Sequence, residues 1–75
     1  MKTKEQILNV FVERIKDLMI DKNIKSIAQL AIQTSIPRTT INDWFLKLKL
    51  PRLDYVIVIA KFFNVSLDYL VGLEN

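Results

Sequence analysis

The chain has 75 residues, 51% of them hydrophobic, and a formal net charge of +3, which suits one small domain with its own core. Because it contains no cysteine and no histidine, disulfides, thiolate metal sites and the commonest general base are excluded. No apolar run approaches the roughly 20 residues of a membrane span, and no signal peptide is recognised. We expect a single domain over residues 1–75, in the cytoplasm, without enzymatic activity, cofactor, metal, membrane contact or small-molecule ligand.

Positive charge is concentrated in the middle of the chain. The segment 22–52 carries six basic residues against one acidic residue, Asp43, whereas residues 1–21 are balanced and residues 53–75 are acidic. A basic segment of this kind is typical of a surface that meets phosphates. A solvated surface with a chance imbalance would give the same count.

The first predicted helix runs from about Lys4 to Lys22 and ends at Asn23. Its apolar residues recur every three or four positions, as expected for one buried face. These residues are Ile7, Leu8, Phe11, Ile15, Leu18 and Met19.

Two short helices are predicted next. Ser26 with Gln29 has the pattern of a capping box, which predicts a helix from Ser26 to about Thr34. Pro37 disfavours helical geometry in the residue before it and suits the first turn of a new helix, so a second helix is predicted from Pro37 to about Leu46.

The last two predicted helices follow Pro51. One runs from about Arg52 to Phe63, and Ser66 is a suitable N-cap for the other, which covers residues 67–71 with Gly72 just past its end. The expected buried stripe of the longer helix consists of Leu53, Val56, Ile57, Ala60 and Phe63.

The two short helices with their brief turn have the pattern of a helix-turn-helix. Small residues are needed where such helices touch, and Ala28 and Ala31 meet that need. Ile41 and Trp44 would then pack inward, with Trp44 in the core rather than serving as a stacking platform. The opposite face of the second helix would be free to enter the major groove of DNA.

Two segments, SIAQLAIQTSIPRTTINDWF and IAKFFNVSLDYLVG, together with Pro51 between them, resemble the Cro/CI-type (XRE) helix-turn-helix family. The resemblance covers roughly residues 11–73. It implies an all-α, compact five-helix bundle like the lambda repressor N-terminal domain, with the helix-turn-helix at about residues 26–46. It also implies a transcriptional regulator of double-stranded DNA, of the repressor or Cro-like kind found in phages and mobile elements.

The resemblance also implies which residues meet DNA. It puts Pro37, Arg38, Thr39, Asn42 and Asp43 on the base-facing side of the recognition helix, and Ser26, Lys47 and Lys49 near the phosphate backbone. Helix N-termini and lysines suit phosphates, and we add Arg52 as a further phosphate contact. Arg38 suits guanine, but it could equally meet a phosphate or remain solvated. Asn42 suits adenine, and the alternative is that it lies on a solvated helix face.

Three positions depart from the family pattern. Ser35 and Lys47 stand where glycine is usual, and Phe45 stands where glutamate is usual. The segment 44–50 is therefore more apolar than a DNA-facing loop needs. This leaves open an alternative function, a protein-interaction module such as an antirepressor or adaptor that keeps the fold but binds DNA weakly or not at all.

Surplus apolar residues suggest a homodimer. Val58 and Phe62 fall off the predicted inward stripe, and Leu48 and Leu50 lie in a loop. The resemblance points the same way, because such proteins commonly bind two half-sites about one DNA turn apart. The alternative is that these side chains only complete the core.

Overall fold

The computed structural model describes residues 2–74, which form five α-helices and no strand. The helices are α1 (Lys4–Asp21), α2 (Ile27–Thr34), α3 (Arg38–Phe45), α4 (Leu53–Phe63) and α5 (Leu67–Val71). The predicted all-α, five-helix fold is confirmed, and the predicted helix ends differ from the observed ones by about one residue. Among the described residues, no helix has the length and hydropathy that crossing a membrane requires.

Local hydrogen bonds explain where α1 begins and ends. Thr3 and Gln6 form a capping box, in which the Gln6 amide donates to Thr3 Oγ1 at 3.2 Å and the Thr3 amide donates to Gln6 Oε1 at 2.8 Å. At the other end, Asn23 adopts a left-handed conformation (φ 58°), and the Ile24 amide donates to the Met19 carbonyl at 2.8 Å. The predicted stop at Asn23 is therefore correct.

The start of α2 departs from the expected capping box in one bond. Ser26 Oγ accepts from the Gln29 amide at 3.1 Å, as predicted. Gln29 Oε1, however, accepts from the Lys25 amide at 2.7 Å, one residue before the cap. Each bond still gives a partner to a backbone amide near the start of α2. The helix is therefore capped, although Gln29 Oε1 accepts from the Lys25 amide and not from the Ser26 amide.

The turn between α2 and α3 keeps left-handed geometry without glycine. Ser35 has φ 61° and ψ 22°. Thr34 Oγ1 donates to the Leu30 carbonyl at 2.7 Å and accepts from the Ile36 amide at 3.3 Å, which ties the turn to the end of α2. Serine therefore occupies a positive-φ position where the family usually has glycine, at a cost of about 1 kcal/mol.

We expect Ser35→Gly to raise the free energy of unfolding by about 0.5–1 kcal/mol, because glycine adopts this φ without strain but is more flexible when unfolded. Gln33→Gly is the matched control, since Gln33 is an exposed residue inside α2 and should lose about 1 kcal/mol. Urea unfolding followed by circular dichroism measures both. Equal destabilisation by the two glycines would contradict the assignment of strain to Ser35.

The core lies between all five helices, to which α2 contributes Leu30. Trp44 is 1% exposed and meets Phe11 edge to face, with ring centroids 5.3 Å apart; Tyr55 lies 6.1 Å from Trp44 on another side. The prediction that Trp44 belongs to the core is correct. The other buried side chains are Leu8, Val12, Ile15, Met19, Ile24, Leu30, Ile36, Ile41, Val56, Ile59, Ala60, Phe63 and Leu70.

The predicted inward stripe of α4 is wrong in part. Ile59 is fully buried, whereas Leu53 is 68% exposed and Ile57 is 37% exposed. Val58 and Phe62, which we expected to be surplus, are half-buried and pack against the core. The side of α4 that faces the core is thus centred on Ile59. Val58 and Phe62 pack against the core, which agrees with the alternative that they complete it.

Candidate nucleic-acid interface

α2 and α3 pack through the residues between them and leave the outer side of α3 uncovered. Leu30 and Ile41 are completely buried, and Ile36 in the turn is 2% exposed. Ala28 and Ala31 are half-buried, which fits the expectation that small side chains let the helices approach. The pair therefore has the arrangement of a helix-turn-helix.

The first turn of α3 is its most exposed part. Pro37 precedes it and supplies no side-chain cap, so no side-chain oxygen competes for the first amides of the helix. Pro37, Arg38 and Thr39 are exposed, while Asn42 and Asp43 one turn later are half-buried. The five residues predicted to face bases are thus all exposed or half-buried, and Arg38 lies in the first turn of α3.

Asp43 is held by the loop that follows α3. Its carboxylate lies 3.8 Å from Lys49 Nζ, and the side chains are 32% and 75% exposed. Lys49 is therefore the ion-pair partner of Asp43. A pair this open to solvent is weak, so either side chain can leave it at little cost.

Arg52 lies at the start of α4 and binds Asp54 through two hydrogen bonds, from Nε at 3.1 Å and from Nη2 at 2.5 Å. This hydrogen-bonded ion pair lowers the pKa of Asp54 and raises the pKa of Arg52. The guanidinium carbon also lies over the ring of Tyr55, 4.7 Å from its centroid. Arg52 is therefore oriented by its neighbours before any ligand arrives.

A depression of about 220 Å³ joins these groups beside α3. It is lined by Asp43, Lys49, Arg52 and also Thr40. The sequence interpretation did not select Thr40; its position one turn before Asp43 and Trp44 was the available signal. Two cations and a hydroxyl group line this depression together with the Asp43 carboxylate, so an anion would bind there by replacing Asp43 as the partner of Lys49.

Lys47 and Ser26 lie elsewhere on the surface. Lys47 has φ 62°, and the Leu48 amide donates to the Asp43 carbonyl at 2.9 Å, which ends α3 with a left-handed residue where the family usually has glycine. The Lys47 side chain lines grooves on the α1 side of the loop, beside Asn9. Ser26 is exposed at the start of α2, with its hydroxyl engaged by the Gln29 amide.

The predicted phosphate contacts are thus not one cluster. Lys49 and Arg52 share the depression beside α3, whereas Lys47 and Ser26 are placed on other parts of the helix-turn-helix unit. A backbone that runs along a groove of DNA meets a protein at several separated points, so a spread of cations is compatible with phosphate binding.

A family model described as helix-turn-helix matches residues 15–70. The chain therefore belongs to the helix-turn-helix family of the Cro/CI (XRE) type, a family of DNA-binding regulators. The match includes α2, α3, α4 and most of α5, and so extends well beyond the two-helix unit. No curated protein and no solved structure shows significant similarity to the chain.

Proposed function

We propose that this protein is a sequence-specific regulator of double-stranded DNA, of the repressor or Cro-like kind, that acts in the cytoplasm as one domain over residues 1–75. The observation that carries the proposal is the exposure of the first turn of α3. The inner side of the unit formed by α2 and α3 is buried, so only the outer side of α3 is available for contact. A helix presented in this way fits the major groove, which is about 12 Å wide.

In this proposal, the base-facing residues are Pro37, Arg38, Thr39, Asn42 and Asp43. Arg38 is the first candidate for direct readout, because its guanidinium can donate two hydrogen bonds to guanine. Asp43 can accept from the amino group of cytosine, and its pairing with Lys49 offsets the repulsion between a carboxylate and nearby phosphates.

The phosphate contacts proposed are Ser26, Lys47, Lys49 and Arg52. Lys49 and Arg52 already form ion pairs with Asp43 and Asp54. Binding of DNA would therefore replace these exposed intramolecular pairs with pairs between the same cations and phosphates. Because exposed ion pairs contribute little, this exchange favours the phosphates, which carry a denser negative charge.

Titration against a random-sequence duplex at two salt concentrations tests this function. Three basic contacts predict that the logarithm of affinity falls with the logarithm of salt at a slope of about −2.7, at roughly −0.9 per phosphate. The slope should nearly vanish when Lys47, Lys49 and Arg52 are all replaced by alanine. No binding at low salt would disprove the function. Selection from a random duplex pool then tests specificity, and a palindromic consensus would indicate a dimer.

One observation favours a second candidate, the protein-interaction module. The loop after α3 exposes Leu46 and Leu48 at 66% each, beside a groove of about 550 Å³ between this loop and the start of α1. Contacts with phosphates and base edges do not require exposed leucine side chains, so these residues favour a protein partner. A steep salt slope that depends on Lys47, Lys49 and Arg52 would rule out this candidate as the main function.

A further inference from the structure

We propose that the groove between the loop after α3 and the start of α1, called the loop groove below, binds an acidic segment of a partner protein that also carries apolar side chains. The segment and DNA exclude each other, because both use Lys47 and Lys49. This names the chemistry of the partner, which the second candidate function leaves open. Docking of the segment does not depend on the proposed function, whereas the competition with DNA rests on it.

The apolar part of the loop groove is an uncovered surface that is continuous with the core. Leu48 is 66% exposed and Leu50 is 41% exposed, and both line the groove. Leu8 of α1 also lines it, although this side chain is buried and belongs to the core. The volume of about 550 Å³ lies within the roughly 300–1,000 Å³ of concave sites that take apolar groups. The groove can therefore hold apolar side chains of a partner.

Positive charge surrounds these leucines. Lys4, Lys47 and Lys49 line the same groove, against one carboxylate among the described residues, Glu5. Lys4 and Lys47 form no ion pair with another described residue, and the pair of Lys49 with Asp43 is long and open to solvent. The positive end of the α1 dipole lies beside them. The complement of this surface is therefore an acidic partner.

A polypeptide segment fits this combination better than other partners do. DNA phosphates use the lysines but leave Leu48 and Leu50 in water. An anionic membrane takes side chains that project from a convex surface, whereas these line a groove together with Asn9, which can hydrogen-bond a peptide backbone. A second copy of the chain brings the same lysines, and like charges facing one another oppose association.

Another apolar groove on the surface offers a contrast in charge. It has a volume of about 580 Å³ and is lined by Lys2, Gln6, Ile7, Val71 and Leu73. Lys2 is the one cation among these described residues, and its Nζ donates to the Gly72 carbonyl at 2.8 Å. Leu73 is 72% exposed. This groove therefore presents an equally exposed leucine without a set of free lysines, which makes Leu73 the matched control.

Docking at the loop groove regulates DNA binding through shared cations. Lys47 and Lys49 are two of the three basic phosphate contacts proposed, and both line the groove. Carboxylates held against them occupy the donors that phosphates need. They also add negative charge close to α3, which repels DNA. The partner segment therefore releases the chain from DNA.

Selection from a library of random peptides of about 12 residues, with the whole chain as bait, tests the docking. Enriched peptides should combine several acidic residues with leucine or another large apolar residue. The affinity of the best peptide, measured by calorimetry, should fall about tenfold or more in Leu48→Ser and stay unchanged in Leu73→Ser. Circular dichroism checks that both variants are folded. No enrichment, enriched peptides without acidic residues, or full affinity for Leu48→Ser would overturn the proposal.

A charge exchange tests the acidic requirement. The double variant Lys47→Glu, Lys49→Glu should bind the selected peptide about tenfold or more weakly than the wild type does. A peptide with lysine at its acidic positions should reverse this order and prefer the double variant. Equal affinity of both peptides for both proteins would mean that charge does not select the partner, which contradicts the proposal.

Vesicles of phosphatidylcholine with about 30% phosphatidylserine test the membrane as the occupant. The chain should remain in the supernatant when these vesicles are sedimented. Sedimentation of the wild type but not of Leu48→Ser would assign the leucines to a membrane and reject a protein segment.

Competition with DNA separates this inference from the proposed function. The selected peptide should displace the wild type from a random-sequence duplex. It should leave Leu48→Ser bound at the same concentration, since this variant keeps the proposed phosphate contacts. A stable complex of peptide, chain and DNA would refute the exclusion. A chain that binds the peptide but no DNA disproves the proposed function and keeps the docking, and a chain that binds DNA but no acidic peptide does the reverse.

Discussion

Replacing Trp44 by alanine should lower the free energy of unfolding by about 3–5 kcal/mol, the largest stability loss that we expect from a single change. Trp44 is 1% exposed, lies edge to face with Phe11 at 5.3 Å, and packs near Tyr55 at 6.1 Å. Its truncation would leave a cavity where α1, α3 and α4 meet. A chain of this size has a total stability of only roughly 4–11 kcal/mol, so a large fraction should be unfolded at 37 °C.

Urea unfolding monitored by far-ultraviolet circular dichroism measures this loss without relying on tryptophan fluorescence. Ile32→Ala is the control, because Ile32 is 80% exposed and its truncation should change stability by less than about 0.5 kcal/mol. A loss below about 1.5 kcal/mol for Trp44→Ala would mean that the ring does not hold the recognition helix on the core.

Replacing Arg38 by alanine should weaken binding to the selected DNA site about 10- to 100-fold, which corresponds to one bidentate base contact. Arg38 is exposed in the first turn of α3, where side chains can reach base edges. Preference should relax at one base pair, while the salt slope on random DNA should change little, because a base contact releases few counterions.

Competition binding against a panel of single-base variants of the selected site measures this effect. Lys22→Ala removes the same charge from the end of α1, where its Nζ lies 5.3 Å from the centroid of Phe62, and should leave the base preference unchanged. An equal loss for all sequences, with the salt slope reduced by about 1, would identify Arg38 as a phosphate contact instead.

The two predictions concern opposite sides of α3. Ile41 and Trp44 fix the helix on the core, and Arg38 and Thr39 stand free on the other side. Variants of the inner side should therefore reduce DNA binding only by unfolding the chain. Variants of the outer side should reduce DNA binding without lowering the melting temperature. Thermal unfolding therefore distinguishes loss of the fold from loss of a DNA contact.

Helix positions were accessible from the sequence because the signals that start and stop a helix are local. Ser26 and Ser66 cap the helices they were predicted to cap, Asn23 ends α1, and Gly72 follows α5 in a left-handed conformation. Each signal depends on hydrogen bonds within a few residues. The capping box of Thr3 and Gln6 has the same local pattern and went unrecognised.

The buried side of α4 could not be derived in the same way. Of its 11 residues, all but Asp54 and Lys61 are apolar, so several stripes fit the helical period equally well. Contacts with α5 and α2 decide which stripe is covered, and they select Ile59 over Leu53 and Ile57. The exposure of Leu53 and Ile57 follows from this choice.

The partners of the charged groups also depended on tertiary structure. The five helices, the helix-turn-helix and the exposed side of α3 could be predicted from the sequence, since capping, proline geometry and hydrophobic period act over short distances. Only the folded chain decided that Lys49 returns to Asp43 and that Thr40 joins Arg52 around one depression. The physical reason is that the path of the loop 46–52, and not sequence spacing, brings α3 and the start of α4 together.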